Sequence, residues 1–489
     1  MQDFEIIAKT FLGLEEPLAA ELAELGADQI EKGHRMVSFR GNQEMLYRAN
    51  FCLRTAVRVL KPIKHFVAHN PDEVYDVLSQ FPWETILRLD QTFAVNSVIN
   101  SSEFNHSKFV AYRVKDAIAD YFLQRDGKRP NISVSNPDIR FDMHITGTEC
   151  TLSLDSSGES LHLRGYRSGT VEAPINEVLA AGMIRLSGWN FDTDFIDPFC
   201  GSGTIAIEAA LMARNIYPGI FRKHFGFENW NDFDADLLQR IYDDDSAERP
   251  FEHHIYARDI NRPAIEIAME NARNAGVADL ITFEQQDFRQ FTQPEDKAII
   301  VTNPPYGERL KGSDTLGLYN VIGDRLKHQF KGNEAWIICS SKDLFDNIGL
   351  RPSVKIELNN GSLPCELRRY QLFDGKMKSF RAEGGLLKTS EDLHRNAQKR
   401  RSREVRQEFF KSFDGPTPEL SEEDNELESM RNLHRQFEHR LGRKYNRRED
   451  GEPSADNRRP RRENAPSRDR FAKRDNRQRP PRRKFNRES

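Results

Sequence analysis

An apolar strand, a glycine turn and an apolar helix follow one another at residues 195–212, and this order constrains the fold more than any other feature. Phe195-Ile196 leads into the turn Asp197-Pro-Phe-Cys-Gly-Ser-Gly-Thr204, and a helix-like run extends from Ile205 to Met212. Glycines let a ligand approach the backbone, and a helix start offers unpaired N–H groups to an anion or carboxylate. The turn therefore predicts a ligand-binding junction between a strand and a helix.

The same alternation of strand-like and helix-like runs continues downstream of this turn. Further strand-like runs lie at 255–257, 282–285, 298–302 and 335–339, and a helix-like run lies at 263–275. Strands that alternate with helices predict a doubly wound, mainly parallel sheet. The turn is not a Walker A loop, because no Gly-Lys-Ser/Thr follows, and it lacks the three spaced glycines of a dinucleotide fingerprint.

Acidic residues stand at the ends of three successive predicted strands. Asp197 begins the glycine turn, Asp259 is placed to bind a ribose diol, and Asp287 is placed to accept from an adenine amino group. Each acid alone is more often a helix cap or a solvated loop end than a ligand-binding residue, but the three together favour a nucleotide-like ligand. Some 55 residues separate the glycines from Asp259 instead of about 20, so we expect residues 215–253 to form an insertion that loops out.

A tetrapeptide, Asn303-Pro304-Pro305-Tyr306, follows the strand at 298–302. An Asn side-chain oxygen and a neighbouring backbone carbonyl can together accept both hydrogens of a planar amino group. Two prolines stiffen the turn, and a Tyr ring offers a stacking face. The tetrapeptide predicts a clamp for an NH2 group, on a nucleic-acid base or on a protein amide.

The charge of the chain is divided unequally. The 489 residues carry a net charge of −4, but residues 431–489 hold 21 Lys and Arg against 9 Asp and Glu, which leaves about −16 for the rest. From residue 450 the sequence is nearly all polar, so we expect a disordered, Arg-rich tail.

Five scattered cysteines predict neither a zinc site nor a disulfide framework. Without a leader-like or membrane-spanning apolar run, a cytoplasmic location is expected.

The N-terminal part predicts a different architecture. Strand-like runs at 5–8, 36–39, 93–97, 139–145 and 151–155 alternate with helix-like runs at 14–25, 71–78 and 108–123. This pattern is typical of an α+β fold with a half-buried sheet. A basic cluster around the last of these helices either tracks phosphates or forms a solvated face: Lys108, Arg113, Lys115, Arg125, Lys128 and Arg129.

Together these motifs resemble a known enzyme family. The glycine turn, the two downstream acids and the tetrapeptide resemble class I S-adenosylmethionine-dependent methyltransferases acting on exocyclic amino nitrogens. The upstream segments look like the THUMP domain and entry segment of the RlmL-type 23S rRNA guanine-N2 methyltransferases: Pro130-Asn-Ile-Ser-Val-Ser-Asn-Pro-Asp138, Leu161-His-Leu-Arg-Gly-Tyr-Arg167 and Ala173-Pro-Ile-Asn-Glu177. Some relatives carry a second methyltransferase domain, and we expect a single methylation activity here.

The resemblance implies a domain order and a fold. It implies a ferredoxin-like unit at 1–60, a THUMP RNA-binding domain at 61–160 and a Rossmann-like methyltransferase domain with a seven-stranded, mainly parallel sheet at 161–380. A charged helix-like segment and the Arg-rich tail would occupy 381–489. The overall class is therefore α/β with an N-terminal α+β region.

The resemblance also implies site roles. The catalytic set would be Asn303, Pro304, Pro305 and Tyr306, with Tyr306 stacked on the target base. S-adenosyl-L-methionine would be bound by Asp197, Phe199, Gly201, Gly203, Thr204, Asp259, Asp287 and Asn176, although Asn176 is equally placed to cap the next helix. No metal is expected. A nucleophilic role for Cys200 is disfavoured by its place inside the glycine turn.

The expected substrate is 23S rRNA, protein-free or in an early assembly intermediate. Alternative functions are methylation of a guanine or adenine amino group in another RNA such as tRNA, of adenine N6 in DNA, or of a release-factor glutamine. An RNA-binding ribosome assembly factor is the non-enzymatic alternative.

Overall fold

The computed structural model describes residues 3–104, 106–171, 174–292, 297–306 and 315–373. The N-terminal elements are β1 (Phe4–Lys9), α1 (Glu15–Glu24), β2 (Asp28–Gly33), β3 (Met36–Gly41), α2 (Gln43–Cys52), β4 (Arg58–Val67), α3 (Pro71–Ser79), β5 (Thr92–Asn100), α4 (Ser107–Asp126), β6 (Asn131–Ile132), β7 (Ile139–Thr146) and β8 (Glu149–Asp155).

The C-terminal elements are α5 (Glu177–Ser187), β9 (Asp194–Asp197), α6 (Thr204–Ala213), α7 (Ala235–Asp243), β10 (Ile255–Asp259), α8 (Arg262–Asn274), β11 (Ile281–Gln285), β12 (Ala298–Thr302), α9 (Thr315–Gln329), β13 (Glu334–Cys339), α10 (Lys342–Asn347), β14 (Val354–Asn360) and β15 (Leu363–Gln371). The predicted α/β class with an N-terminal α+β region is confirmed.

The N-terminal elements share one eight-stranded sheet in the order β2-β3-β1-β4-β8-β7-β5-β6. Its pairs are antiparallel except for β5 with β7 and β6. The expected boundary at 60/61 falls inside β4, which pairs with β1 on one side and β8 on the other. The ferredoxin-like and THUMP-like parts are therefore hydrogen-bonded into a single sheet.

Three strands of this sheet, β2, β4 and β6, lacked a clear signal in the sequence, and β6 has only two residues. β2 is mostly exposed and polar because it lies at the sheet edge. β4 contains Pro62 and shifts its register against β8 between Pro62 and Lys64. Proline cannot donate to the ladder, so it is tolerated at such an irregularity.

The C-terminal elements form the predicted seven-stranded sheet, in the order β11-β10-β9-β12-β13-β15-β14. Neighbours from β11 to β13 run parallel, whereas β15 is antiparallel to both β13 and β14. All four residues of β9 are buried, because helices cover both faces of such a sheet. The carboxyl ends of β9, β10, β11 and β12 therefore meet at one edge.

Residues 215–253 leave the second sheet, but they do not form a loop directed into solvent. Phe225, Phe227 and Trp230 belong to the apolar core of the N-terminal unit. The Phe227 ring stacks on Tyr47 with centroids 4.0 Å apart, and the Tyr47 hydroxyl accepts from the Asp234 N–H at 3.0 Å. The segment is therefore an insertion that contributes no strand to the second sheet, as expected, and it packs against the N-terminal unit, so that it joins the two parts of the chain.

A second buried contact joins these parts at α5. A Cβ on Gly182 would meet Leu14 Cδ2 at 2.5 Å, so α1 approaches α5 closely. Arg164 and Glu208 form an ion pair with 1 % and 0 % exposed side chains, and Arg164 Nη2 also donates to the Arg54 carbonyl at 2.5 Å. Removing one partner of such a pair would leave an uncompensated buried charge, so the pair holds the two parts together.

Other expectations concern features outside the sheets. The charged segment and tail at 381–489 lie outside the described residues. Within the described ranges, no helix has both the length and the apolar character needed to cross a bilayer, and no His, Cys, Asp and Glu cluster is arranged to hold a metal. All five cysteines are buried free thiols.

Candidate active site

A cavity of about 560 Å³ opens where the glycine turn meets the carboxyl ends of the parallel strands. Its volume falls in the range of small-molecule sites, and its position is where open α/β sheets bind ligands. The lining residues are Val171, Pro174, Ile175, Asp197, Pro198, Phe199, Cys200, Gly201, Ser202, Thr204, Ile205, Asp259, Ile260, Asn261, Gln286, Asp287, Phe288, Arg289, Asn303, Pro305, Thr315 and Leu318.

Eight predicted site residues line this cavity: Asp197, Phe199, Gly201, Thr204, Asp259, Asp287, Asn303 and Pro305. They come from four strand ends that are far apart in the sequence. The parallel order of β11, β10, β9 and β12 brings them together. The other four predicted residues, Gly203, Asn176, Pro304 and Tyr306, lie near the cavity without lining it.

The glycine turn has the backbone that its sequence predicts. Gly201 and Gly203 have φ of +53° and +83°, which other residues adopt at a cost. A Cβ on Gly203 would meet Ala268 Cβ at 2.9 Å, whereas one on Gly201 would meet only Val171 Cγ2 at 3.5 Å. Gly203 is therefore required for helix packing beneath the turn, and Gly201 leaves the backbone open to the cavity.

Asp259 ties the end of β10 to the glycine turn. Its Oδ2 accepts from the Gly201 N–H and its Oδ1 from the Asn261 N–H, both at 2.9 Å. Each carboxylate oxygen retains a second acceptor position. The carboxylate is therefore held in place while it can still accept from a diol in the cavity.

Asp287 follows β11 and is half-buried at the cavity. Its Oδ1 accepts from the Arg289 N–H at 2.9 Å, and its Oδ2 pairs with Arg289 Nη1 at 3.1 Å. The pKa of Asp287 is lowered, mainly by the hydrogen bond from the Arg289 N–H, although partial burial acts in the opposite direction. An ionised Asp287 is an acceptor for an amino group.

Asp197 is almost completely buried at the end of β9. Its Oδ1 accepts from the Thr302 hydroxyl at 2.7 Å and from the Phe199 N–H at 3.3 Å. Its Oδ2 has no hydrogen-bond partner among the described residues. Burial raises the pKa of Asp197 to about 7, although the bond from Thr302 acts in the opposite direction.

Asn303 directly follows β12 and lines the same cavity. Its Oδ1 is buried and also lacks a partner within the described part of the chain. An unsatisfied buried acceptor costs about 1–3 kcal/mol, so such an atom indicates a ligand donor. The sequence predicted this acceptor at this position.

Tyr306 departs from its expected place over the target base. Its ring is 2 % exposed in the core, and its hydroxyl accepts from Asn360 Nδ2 at 2.9 Å. In this arrangement the ring cannot stack on a ligand in the cavity, so that expectation is corrected. The turn of two prolines directs the chain back into the apolar core behind β12.

Asn176 acts as a helix cap. Its Oδ1 accepts from the Val178 N–H at 2.9 Å at the start of α5, and its side chain does not line the cavity, which its neighbours Pro174 and Ile175 reach. Of the two alternatives considered for Asn176, the structure therefore shows the cap.

Cys200 lies in the turn with its side chain buried. Burial, and then the carboxylates of Asp197 and Asp259, raise the pKa of the Cys200 thiol well above its usual range. A thiol that stays protonated is a poor nucleophile. The cysteine therefore serves the packing of the turn.

Several residues that support the site were not predicted as site residues. Asn271 on α8 donates to the Ser202 carbonyl at 3.0 Å, and its Oδ1 accepts from the Ser168 N–H at 2.9 Å. Arg167 Nη2 donates to Thr204 Oγ1 at 2.9 Å and pairs with Glu177 at 3.0 Å. A polar residue on a buried helix face, such as Asn271, was the only available sign.

The predicted basic cluster on α4 is partly neutralised. Arg113 pairs with Asp72 at 2.9 Å, Arg129 with Asp120 at 2.8 Å, and Arg125 lies 3.9 Å from Glu84. These arginines connect α4 to its neighbours, which favours the solvated-face interpretation for half of the cluster.

Three family models match the chain in the order of its structural parts. The ferredoxin-like domain of RlmL matches residues 5–60, the THUMP domain 68–155, and the RMKL-like methyltransferase domain 164–369. These matches cover both sheets and the whole set of cavity residues.

Curated relatives extend the similarity along the chain. "Putative RNA methyltransferase slr0064" of Synechocystis sp. (strain PCC 6803) is 37% identical over 74% of this chain and 95% of its own length. The "Ribosomal RNA large subunit methyltransferase K/L" of Shewanella frigidimarina is 36% identical over 76% of this chain, but over only 53% of its own length. The chain thus spans about half the length of the K/L relative.

A solved structure shows the same fold with a ligand of the expected class. SMU.472, "a putative methyltransferase complexed with SAH", is 30% identical with a TM-score of 0.68, covering 77% of this chain and all of that one. SAH is the demethylated product of S-adenosylmethionine. The open turn at Gly201, the acceptors of Asp259 and Asp287 and the unsatisfied Asp197 Oδ2 fit such a cofactor. The chain belongs to the RlmL-type, THUMP-containing family of S-adenosylmethionine-dependent class I methyltransferases.

Proposed function

We propose that the chain methylates the exocyclic N2 of a guanine in 23S rRNA. The observation that carries this proposal is Asn303 Oδ1, which has no hydrogen-bond partner among the described residues and lies at the cavity that the glycine turn also lines. The matching THUMP model and the relatives named for ribosomal RNA of the large subunit support RNA as the substrate. We also propose that the protein acts in the cytoplasm.

The cofactor occupies the cavity beneath the glycine turn in this proposal. Gly201 gives the methionine part access to the backbone, Asp259 accepts from the ribose hydroxyls, and Asp287 accepts from the adenine amino group. Phe199 contributes an apolar wall, packed against Phe288 with ring centroids 5.3 Å apart. S-adenosylmethionine supplies a methyl group on a positively charged sulfur, so the site needs to provide no leaving-group activation.

The target amino group is held by acceptors alone. Asn303 Oδ1 takes one N–H, and the Pro304 carbonyl takes the other, as the geometry of a primary amino group requires. Two acceptors in the plane of the base draw electron density to the nitrogen and fix its lone pair for in-line attack on the methyl carbon. The bond between the methyl carbon and sulfur would break as the N–C bond forms, which leaves S-adenosylhomocysteine as a neutral thioether. The nitrogen, cationic after methylation, would then lose a proton to water.

The base must leave its helix to reach such a cavity. In duplex RNA one N2 hydrogen of guanine is bonded to cytosine and the base is stacked, so Asn303 and Pro304 can take both N2 hydrogens only from a target that is unpaired or flipped out. We propose protein-free 23S rRNA or an early assembly intermediate as substrate, because ribosomal proteins cover much of the mature RNA surface.

The test is transfer of a labelled methyl group. Purified full chain is incubated with S-adenosylmethionine labelled at the methyl and with protein-free 23S rRNA, and the RNA is digested to nucleosides. We expect label in N2-methylguanosine. Label in N6-methyladenosine would reassign the clamp to adenine, because Asn303 and Pro304 would hold either amino group.

Parallel substrates separate the remaining alternatives. Label that appears only with tRNA would reassign the substrate, and label only in protein would favour glutamine methylation. RNA binding without any transfer, in a chain that still binds S-adenosylmethionine, would favour an assembly factor.

A further inference from the structure

A second cavity, of about 740 Å³, lies at the junction of the two sheets. It is bounded by residues 135–140 of the THUMP part, by the connector (residues 156–176, between β8 and α5) and by residues 221–229 of the insertion. We call it the junction cavity. Its volume is that of a ligand site, and no residue of the proposed methyl-transfer machinery lines it.

Arg222 places a buried cation in the wall of the junction cavity. Its guanidinium donates to four connector carbonyls, at distances of 2.9–3.3 Å: Ser157, Glu159, Ser160 and Leu163. Its side chain also lies over the Phe225 ring, 5.3 Å from the centroid. Its Nε has no hydrogen-bond partner among the described residues, although the residue is only 7 % exposed. Carbonyls orient this cation without neutralising its charge.

Arg140, a second arginine of the lining, is only partly compensated. Asp155 is ion-paired with Arg58, and the same carboxylate oxygen lies 4.0 Å from Arg140 Nε. One carboxylate thus serves two guanidiniums, and Arg140 Nε makes no hydrogen bond within the described ranges. Lys223 adds an exposed ammonium to the lining.

Acidic residues also line the junction cavity, but most are engaged. Glu177 pairs with Arg167 at 3.0 Å, and the Asp138 carboxylate accepts from the Thr92 N–H and hydroxyl, both at 2.7 Å. Glu159 is exposed. Five cations line the junction cavity against four carboxylates: Arg140, Arg164, Arg167, Arg222 and Lys223 against Asp138, Asp155, Glu159 and Glu177. Burial first, and then Arg164, Arg167 and Arg222, lower the pKa of His162 in the connector to about 4.

Arg167 relates the junction cavity to the cofactor cavity. It lines the junction cavity, while its Nη2 donates to Thr204 Oγ1 in the wall of the cofactor cavity. The connector supplies walls to both, since Val171, Pro174 and Ile175 border the cofactor site. A chain bound in the junction cavity would therefore contact the same connector that borders the cofactor cavity.

We propose that the junction cavity binds a backbone phosphate of the substrate RNA, between the THUMP part and the cofactor cavity. This inference rests on the proposed RNA substrate. A phosphate oxygen fits the unsatisfied Nε groups of Arg140 and Arg222, and Lys223 adds charge. A phosphodiester there fixes the RNA strand while the target base enters the neighbouring site.

The test measures RNA affinity against salt. Arg140→Gln and Lys223→Gln are made in the full chain, because Asp155 keeps Arg58 as a partner and Lys223 is exposed, so both variants should fold. Lys355→Gln on the edge strand β14 is the charge-matched control, since Lys355 is exposed and does not line the junction cavity. Binding of 23S rRNA fragments is measured between low and high KCl.

We expect the slope of log affinity against log salt to decrease by about 1 for each variant of the junction cavity, and not for Lys355→Gln. Affinity for S-adenosylmethionine should stay unchanged in all three. If wild-type protein methylates RNA but the junction variants behave as Lys355→Gln does, the inference fails while the proposed function stands. If wild-type protein neither binds nor methylates RNA, the proposed function itself fails.

A separate titration distinguishes free phosphate from RNA. Inorganic phosphate is added to each protein and the thermal unfolding midpoint is recorded. Phosphate stabilisation that is lost in the junction variants, together with an unchanged RNA salt slope, would assign the junction cavity to a free anion and overturn the RNA proposal.

Discussion

The Thr302 hydroxyl donates a hydrogen bond of 2.7 Å to Asp197 Oδ1, and this bond links the two motifs of the site. Thr302 ends β12 immediately before Asn303, and Asp197 ends β9 at the glycine turn. The two strands are parallel neighbours. The amino-group clamp is therefore attached to the cofactor turn by a buried side-chain contact as well as by the sheet.

The first prediction concerns the pH dependence of stability. Because burial raises the folded-state pKa of Asp197 to about 7, above its unfolded value, the folded state binds the proton more tightly. The stabilisation is complete below the unfolded pKa and is lost as pH rises to about 7. In wild type this decrease in the free energy of unfolding amounts to at most about 4 kcal/mol. Asp197→Asn should remove it, because the amide does not ionise.

Urea unfolding at several pH values between about 4 and 8 measures this effect. Asp192→Asn, at an exposed turn, is the control and should follow wild type. A wild-type pH profile that Asp197→Asn leaves unchanged would show that Asp197 ionises normally in the folded protein.

The second prediction separates catalysis from cofactor binding. Asn303→Ala removes the acceptor for the target amino group, so methyl transfer should fall by at least about 100-fold, in line with the loss of a single oriented donor or acceptor. Affinity for S-adenosylmethionine, measured by calorimetry, should stay near the wild-type value. Asn190→Ala, on the surface, is the matched control. Equal loss of transfer and binding would mean that Asn303 is structural.

The third prediction concerns the insertion. Phe227 is fully buried and stacks on Tyr47, so Phe227→Ala should reduce the free energy of unfolding by about 3–5 kcal/mol. Phe109 is 50% exposed, and Phe109→Ala should cost less than about 0.5 kcal/mol. Denaturant unfolding compares the two. Similar values for both would contradict the role of the insertion in joining the N-terminal unit to the methyltransferase domain.

The fourth prediction addresses the basic tail. Its surplus of 12 positive charges should attract RNA without regard to sequence. Deleting residues 431–489 should weaken RNA binding and flatten its salt dependence, while methyl transfer to a short RNA persists. Affinity for S-adenosylmethionine serves as the folding control. An inactive truncated protein that still binds the cofactor would assign the tail a role in the reaction.

Local sequence determined much of the second sheet. β9, β12 and β13 are short apolar runs bounded by turn residues, and each was predicted because a strand covered on both faces has no polar side. The glycine turn was equally readable, since the positive φ of Gly201 and Gly203 excludes most other residues. β2 was not readable, because an exposed edge strand carries no apolar periodicity.

The sequence predicted only part of the candidate site, for a related reason. The sequence placed Asp259 and Asn303 at the cavity, as the structure does, because the carboxyl ends of parallel strands lie at the same edge of a sheet. The direction of Tyr306 was not, since it depends on the apolar space behind β12 and on a partner, Asn360, from a distant strand. Side-chain direction after a turn follows from packing, which no short motif encodes.

The sequence by itself determined the class of fold, the strand ends that carry acids, and the presence of an acceptor after β12. Only the tertiary structure decided that residues 215–253 pack against the N-terminal unit, and that the connector lies between two cavities. Local patterns arise from hydrogen bonding and burial within one element. Contacts such as Phe227 with Tyr47 depend on shape complementarity between segments about 180 residues apart, and they exist only once both parts have folded.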